Sequence, residues 1–240
     1  MPQPRQTRNG GSNNRGAASS RSKRSAILDT ATELFGRDGY EHSKWADVAS
    51  ALGIGSTALY HYFESKLHCL YVIMAEALEA EVERFERITG EHEDFREALE
   101  AVLRAEFDLS ERDVLRNRLL VSEQVLVGAH RTSVREEEAR QLARERTRDL
   151  EFKWAAFLTR GMEHGAIPRA DARLLARAIL GLYNSIFHWY RPRAGLSLAE
   201  VADFFVPRCL AVAGVPLPDA GAAAELSKRA LLTRSRAAKR

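Results

Sequence analysis

The segment from Lys44 to Lys66, KWADVASALGIGSTALYHYFESK, constrains this chain more than any other stretch. Val48, Leu52, Ile54, Leu59 and Tyr62 fall where two short crossed helices share a small core, and Ala49 supplies the small side chain at their closest approach. A sharp turn between such helices needs a residue at positive φ, which glycine adopts without a Cβ clash. Gly53 is therefore expected to end the first helix and release the second at a steep angle. Ser56, Thr57, Ala58 and His61 are left facing outward. The pattern predicts a helix-turn-helix for duplex DNA.

The flanks extend this reading. Ile27, Leu28, Ala31, Leu34 and Phe35 recur on one helical face, and Arg37-Asp38-Gly39 supplies a stop before Tyr40. Ser43 is the expected N-cap of the first short helix, with Asp47 near its first turn. Such a helix end also offers backbone N–H groups to a phosphate oxygen.

ILDTATELFGRDGY, then DVASALGIGSTALYHYF, then ESK resembles the TetR family of transcriptional repressors over residues 22–70. The resemblance implies an all-α homodimer. Its three-helix head would bind a palindromic operator, and a larger helical domain would bind a small-molecule inducer and dimerise. Where many relatives open the recognition helix with Ser-Lys-Gly-Thr, this chain has Gly55-Ser56-Thr57-Ala58. The missing lysine removes one expected phosphate contact, so the operator cannot be borrowed from a relative.

A chain of 240 residues with 45% hydrophobic composition can bury a sizeable core. The net charge of +3 is too small to argue for nucleic acid by itself. Its distribution says more, because Arg5, Arg8, Arg15, Arg21, Lys23 and Arg24 precede Ser25 with no acid among them. Residues 1–24 read as a disordered basic arm that either touches DNA or is simply solvated. Cys69 and Cys209 make no disulfide framework, no apolar run is long enough for a bilayer, and no signal peptide is read, so a cytoplasmic protein with no membrane partner is expected.

The expected domains are the arm, a DNA-binding domain at 25–66, a ligand-binding and dimerisation domain at 67–215, and a basic tail at 216–240 that is either a helical extension or disordered. The body reads as helices near 66–87, 95–109, 112–127, 134–164, 171–190 and 198–213, with a break at Thr89-Gly90. The helix at 171–190 is apolar over more than one stripe, which calls for two partners. The resemblance places a two-fold four-helix dimer interface there; the alternative is a central core helix of a monomer.

For DNA the candidates are Ser56, Thr57, Tyr60 and His61, with Ala58 against a thymine methyl and Ser43, Lys44, Tyr62 and Lys66 positioning phosphates. Tyr62 also fits a core position. Inducer candidates are Trp154, Phe157, Tyr183, Asn184, Phe187 and His188, aromatic rings beside polar atoms on adjacent expected helices, all of which also suit ordinary core. The run His188-Trp189-Tyr190-Arg191-Pro192 is similar to a TetR subgroup that controls fatty-acid or steroid catabolism, which implies an acyl-CoA thioester as inducer. Arg191 and Arg193 are candidates for its charged end. Neither a catalytic constellation nor a metal-ligand spacing is present, and His68-Cys69 lacks further donors, so no cofactor, no metal and no enzyme are expected. A DNA-binding protein without inducer, and an activator, are the alternatives to a repressor.

Overall fold

The computed structural model describes residues 13–216, with side chains from Arg21 onward. It is helical, with no strand among the described residues. The elements are α1 (Asn13–Asp38), α2 (Trp45–Ala51), α3 (Ser56–Tyr62), α4 (Lys66–Glu91), α5 (Phe95–Ala105), α6 (Glu111–Ser122), a 3-10 turn (Gln124–Gly128), α7 (Val134–Glu163), α8 (Ala172–Asn184), α9 (Ile186–Trp189) and α10 (Leu198–Val212). α1 starts at Asn13, so residues 13–24, expected as part of a disordered arm, are helical. Residues 1–12 and the basic tail from 217 onward lie outside the described residues. The break expected at Thr89-Gly90 does not occur, since α4 continues to Glu91 with the Thr89 hydroxyl donating back to the Phe85 carbonyl. One expected helix at 171–190 is two, divided at Ser185.

Two compact units divide the chain. The first holds the chain up to Glu81 together with Ser110–Arg148, so it is larger than the 25–66 segment expected for the head. Its apolar core runs without interruption from Ile27, Phe35, Val48, Leu59 and Phe63 through Leu70 and Met74 to Leu119, Val127, Ala139 and Ala143. α1 and α6 pack tightly at Gly36, where a Cβ would sit 2.7 Å from both the Cβ and the carbonyl oxygen of Leu115. A polar network pins the 3-10 turn. Tyr71 donates to the Leu126 carbonyl at 2.8 Å while accepting from Arg131 Nε, and buried Arg140 donates to the Val127 carbonyl at 2.7 Å and pairs with Glu137. The Arg140 guanidinium, bonded to both Glu137 oxygens, holds that carboxyl well below the usual carboxylate range.

The second unit, Val82–Leu109 with the chain from Asp149, is built on aromatic packing. Phe85 meets Trp154 at 4.9 Å and Phe157 at 5.8 Å, and Phe95 stacks on Phe157 at 4.7 Å. Tyr183 packs edge-on to Phe107 and Phe187 and donates its hydroxyl to the Glu106 carbonyl at 3.0 Å. The Glu106 carboxylate is buried and accepts from Arg84 at 3.2 Å. α8 turns Ala176, Ile179 and Tyr183 inward, while Leu174, Ala178 and Gly181 remain exposed one turn apart. On α10 Phe204, Arg208, Ala211 and Val212 are exposed, with Ala199, Glu200 and Asp203 exposed towards its start.

Candidate nucleic-acid interface

α2 ends as the sequence demands. Gly53 has φ +64°, its N–H reaches the Ser50 carbonyl at 3.1 Å, and the Ile54 N–H reaches the Ala49 carbonyl at 3.0 Å. This is a Schellman closure, in which a left-handed residue satisfies carbonyls left open at the helix end. A Cβ at Gly53 meets nothing within 4 Å, so the demand is conformational and not steric. Val48, Ala49 and Leu59 are buried at the crossing, and Leu52, Ile54 and Tyr62 pack partly buried against that core. One face of α3 is thereby fixed, and the other is free to meet a ligand.

On the free face Ser56, Thr57, Tyr60 and His61 are exposed, Tyr60 to 53%, and Ala58 is half-buried beside them. Their side chains make no hydrogen bond within the described residues that would compete with a partner. Lys44 is exposed at the start of α2. It is also the N-cap, its N–H donating to the Asp47 carboxylate at 2.9 Å. That position was expected for Ser43. Ser43 is instead buried and donates its hydroxyl to the Gly39 carbonyl at 2.8 Å and the Leu34 carbonyl at 3.3 Å, so its side chain is turned away from any phosphate. Lys66 is half-buried and engaged within the head. Its ammonium donates to the Tyr40 carbonyl and lies 3.9 Å from the centre of the Tyr40 ring, and burial pushes its pKa below the ordinary lysine value. Arg24, at the end of the basic segment, pairs with Glu76 at 2.8 Å.

The turn after α3 holds residues that sequence reading did not single out. The Tyr62 carbonyl, at the end of the recognition helix, accepts from Arg135 at 3.2 Å. The Glu64 carboxylate accepts from the Glu136 N–H at 3.2 Å and from the Ser133 hydroxyl. Ser65 donates to the Glu136 carboxylate and accepts from the His68 N–H at 2.9 Å. The local signal was Ser133-x-x-Glu136 ahead of an amphipathic run, which reads as a self-contained capping box. The local bond from the Glu136 N–H to the Ser133 hydroxyl oxygen is present at 3.5 Å, and the fold shares both residues with a distant turn.

Of the inducer candidates, Trp154 and Phe157 share one aromatic cluster through Phe85, and Tyr183 packs directly on Phe187 and on Phe107 in another. These four rings are buried. Asn184 is half-buried at the end of α8, and His188 is exposed. Arg191 folds back to donate to the His188 and Tyr190 carbonyls, at 3.3 and 2.9 Å. An open groove of about 740 Å³ lies instead along the outer side of α7 in this unit, bordered by Phe152, Ala156, Met162, Arg169 and Arg173.

Both thiols are buried, which pushes Cys209 up to about 11 and Cys69 higher still, so neither is poised as a nucleophile. No three potential metal ligands converge among the described residues. No described helix is long and apolar enough to cross a membrane.

Comparison with known proteins matches this arrangement in order along the chain. Residues 27–70 match the model of bacterial regulatory proteins of the tetR family, and residues 112–213 match the tetracyclin repressor-like C-terminal domain. The TetR family regulator PfmR from Thermus thermophilus is 30% identical, with 80% of this chain and 99% of that one covered at a TM-score of 0.64. The HTH-type transcriptional repressor KstR2 of Mycobacterium tuberculosis is 26% identical over 187 residues, 77% of this chain and 90% of that protein. A fatty acid metabolism regulator protein of Bacillus subtilis is 27% identical over 162 residues, 67% of this chain and 79% of that protein. With head and body both matched, the chain belongs to the TetR family of bacterial regulatory proteins, and it is a DNA-binding regulator and not an enzyme.

Proposed function

We propose that this protein is a ligand-responsive transcriptional repressor that binds a palindromic operator as a homodimer and is released by a small-molecule inducer. The observation that carries the reading is the free outer face of α3, held rigid from behind by Val48, Ala49 and Leu59. Ser56 and Thr57, short and at the leading end of the helix, suit base edges, and Ala58 suits a thymine methyl. Tyr60 and His61 reach further along the groove, Lys44 meets a phosphate, and Tyr62 supports the helix from the core side. Ser43 and Lys66 act within the head.

Dimerisation uses the exposed apolar faces of α8 and α10, around Leu174 and Phe204, which are 63% and 52% exposed. An isologous contact of two helices from each copy yields the two-fold symmetry a palindrome requires. Functionally, residues 25–66 serve DNA binding and 67–215 serve ligand and dimer, between a basic arm at 1–24 and a basic tail at 216–240. The protein works in the cytoplasm, where its operator lies.

The inducer site lies among Trp154, Phe157, Tyr183, Asn184, Phe187 and His188, and the ligand class is an acyl-CoA thioester. The similarity of the 188–192 run to the thioester-responsive subgroup and the likeness to the Bacillus subtilis regulator of fatty acid metabolism support that class. Inducer acts by favouring a body conformation whose heads no longer fit both half-sites; a ligand held equally well in both states changes nothing.

Selection of bound fragments from the source genome by purified protein tests the reading. A palindromic fragment retained with steep salt dependence is expected, and no retained fragment at low ionic strength overturns it. Release of that fragment by acyl-CoA thioesters, together with a raised Tm, tests the ligand class. No shift with any thioester removes that class and leaves the repressor standing.

A further inference from the structure

Residues 62–65, which end the recognition helix and start α4, are joined to residues 133–136, which start α7, by a reciprocal set of contacts. An α-helix opens with N–H groups that have no partner inside the helix. At α7 the carboxylate of Glu64 helps to satisfy these, accepting from the Glu136 N–H and from the Ser133 hydroxyl just ahead of the helix. At α4 the Ser65 hydroxyl accepts from the His68 N–H, and Ser65 is itself held by the Glu136 carboxylate. The start of α7 is thus completed by a residue from the turn before α4, and the residue that caps α4 is in turn held by α7. Arg135 adds a bond to the last carbonyl of α3. On one side of the joint the His68 ring is buried, accepts from the Glu64 N–H at 3.2 Å and packs edge-on to Phe63.

These are directional bonds to backbone atoms. Neither partner can rotate or slide along its axis without losing them, and a charged acceptor left without donors in a half-buried site is costly. α7 is one unbroken helix to Glu163 and carries Trp154 and Phe157. An axial movement or rotation of α7 is therefore felt at the end of α3 through this joint, separately from anything transmitted along α4.

We infer that Glu64 is a positioning residue for operator recognition, coupling α7 to the recognition helix, so that the state of the body sets the orientation of α3 through the 62–65/133–136 joint. The inference rests on the ligand-responsive repressor reading and adds the route of regulation. Coupling is reciprocal, so operator must act on α7 as the inducer acts on α3, and no inducer need be identified to detect it.

The test is hydrogen exchange on the full-length dimer with and without a saturating operator fragment taken from the genomic selection. In the wild type, operator slows exchange both in residues 56–62 and in residues 149–163 of α7, the latter by at least about fivefold, the lower end of ordinary coupling strengths. In Glu64→Ala the 56–62 protection persists and the 149–163 response disappears. Glu64→Gln, which keeps an acceptor oxygen for the Glu136 N–H, restores it. A purely structural role for Glu64 would lower Tm without removing that operator-dependent difference. An unchanged 149–163 response in Glu64→Ala, or no such response in the wild type, overturns the inference. Should Glu64→Ala fail to fold, Arg135→Ala at an exposed position decides, with a halved response expected and a full response overturning the route. Failure of the wild type to bind any fragment is a different result, which removes the repressor reading itself.

Discussion

The outer face of α3 and the aromatic clusters of the second unit are both proposed to bind something, yet they are built in opposite ways. Ser56, Thr57, Tyr60 and His61 are exposed and unengaged on a helix whose other face is locked. Trp154 and Phe157 are buried against Phe85 and Phe95, and Tyr183 and Phe187 against each other, with Phe107 on Tyr183. A surface that reads a duplex can be complete before its partner arrives, because a groove approaches from outside. A site that encloses a small ligand must open a packed core or exchange its contacts, which makes it inseparable from stability. The head recognises with residues that the fold does not need, whereas the body is proposed to recognise with residues that it does.

The largest effect expected from this difference is on a fragment. Residues 22–70 alone should show no cooperative unfolding by circular dichroism, because Phe35, Leu70 and Gly36 lose the cover of Leu119, Ala143 and Leu115. A sharp two-state transition in that fragment would mean that the head is independent of α6 and α7. Trp154→Ala should come next, destabilising the unliganded protein by about 3–5 kcal/mol in urea unfolding, as for a large buried aromatic. A loss below about 1 kcal/mol would mark Trp154 as lining a space and not filling one.

Thr57→Ala should invert that pattern. Loss of one base contact weakens operator binding by about 1–3 kcal/mol in fluorescence anisotropy, with Tm essentially unmoved. A matching loss of stability would deny that the α3 face is spare.

The smallest effect concerns pH. Burial, then the Arg135 guanidinium, with a smaller contribution from Arg24, holds His68 below the usual histidine pKa, against the opposite pull of Glu64 and Glu136. The unfolded chain therefore takes up a proton more readily than the folded one. Stability from neutral His68 is complete above about 6.5, the unfolded value, and declines as pH falls below it towards the folded pKa. Tm should drop from pH 7.5 to 5.5 more in the wild type than in His68→Asn, and equal drops would exclude His68 as the cause.

Much of the head was legible because its constraints are local. Gly53 had to be left-handed, Val48, Ala49 and Leu59 had to meet, and a seven-residue helix then had to show its remaining side chains outward. Ser43 was misread as the N-cap because its partners, the carbonyls of Leu34 and Gly39, are backbone atoms that carry no residue-specific signal. The body candidates could be named as aromatic but not sorted, since periodicity marks a buried face without saying whether it meets protein or ligand.

By itself the sequence determined an all-helical chain with a glycine-hinged pair of short helices, because backbone conformation and apolar period act over a few residues. Only the tertiary structure decided that the head's core extends through α6 into α7, and that Glu64 and Ser65 complete helix starts in concert with Ser133 and Glu136. Those partners lie about seventy positions apart in sequence. Hydrogen-bond donors at a helix start accept any well-placed oxygen, so which oxygen fills them is a matter of packing and not of pattern.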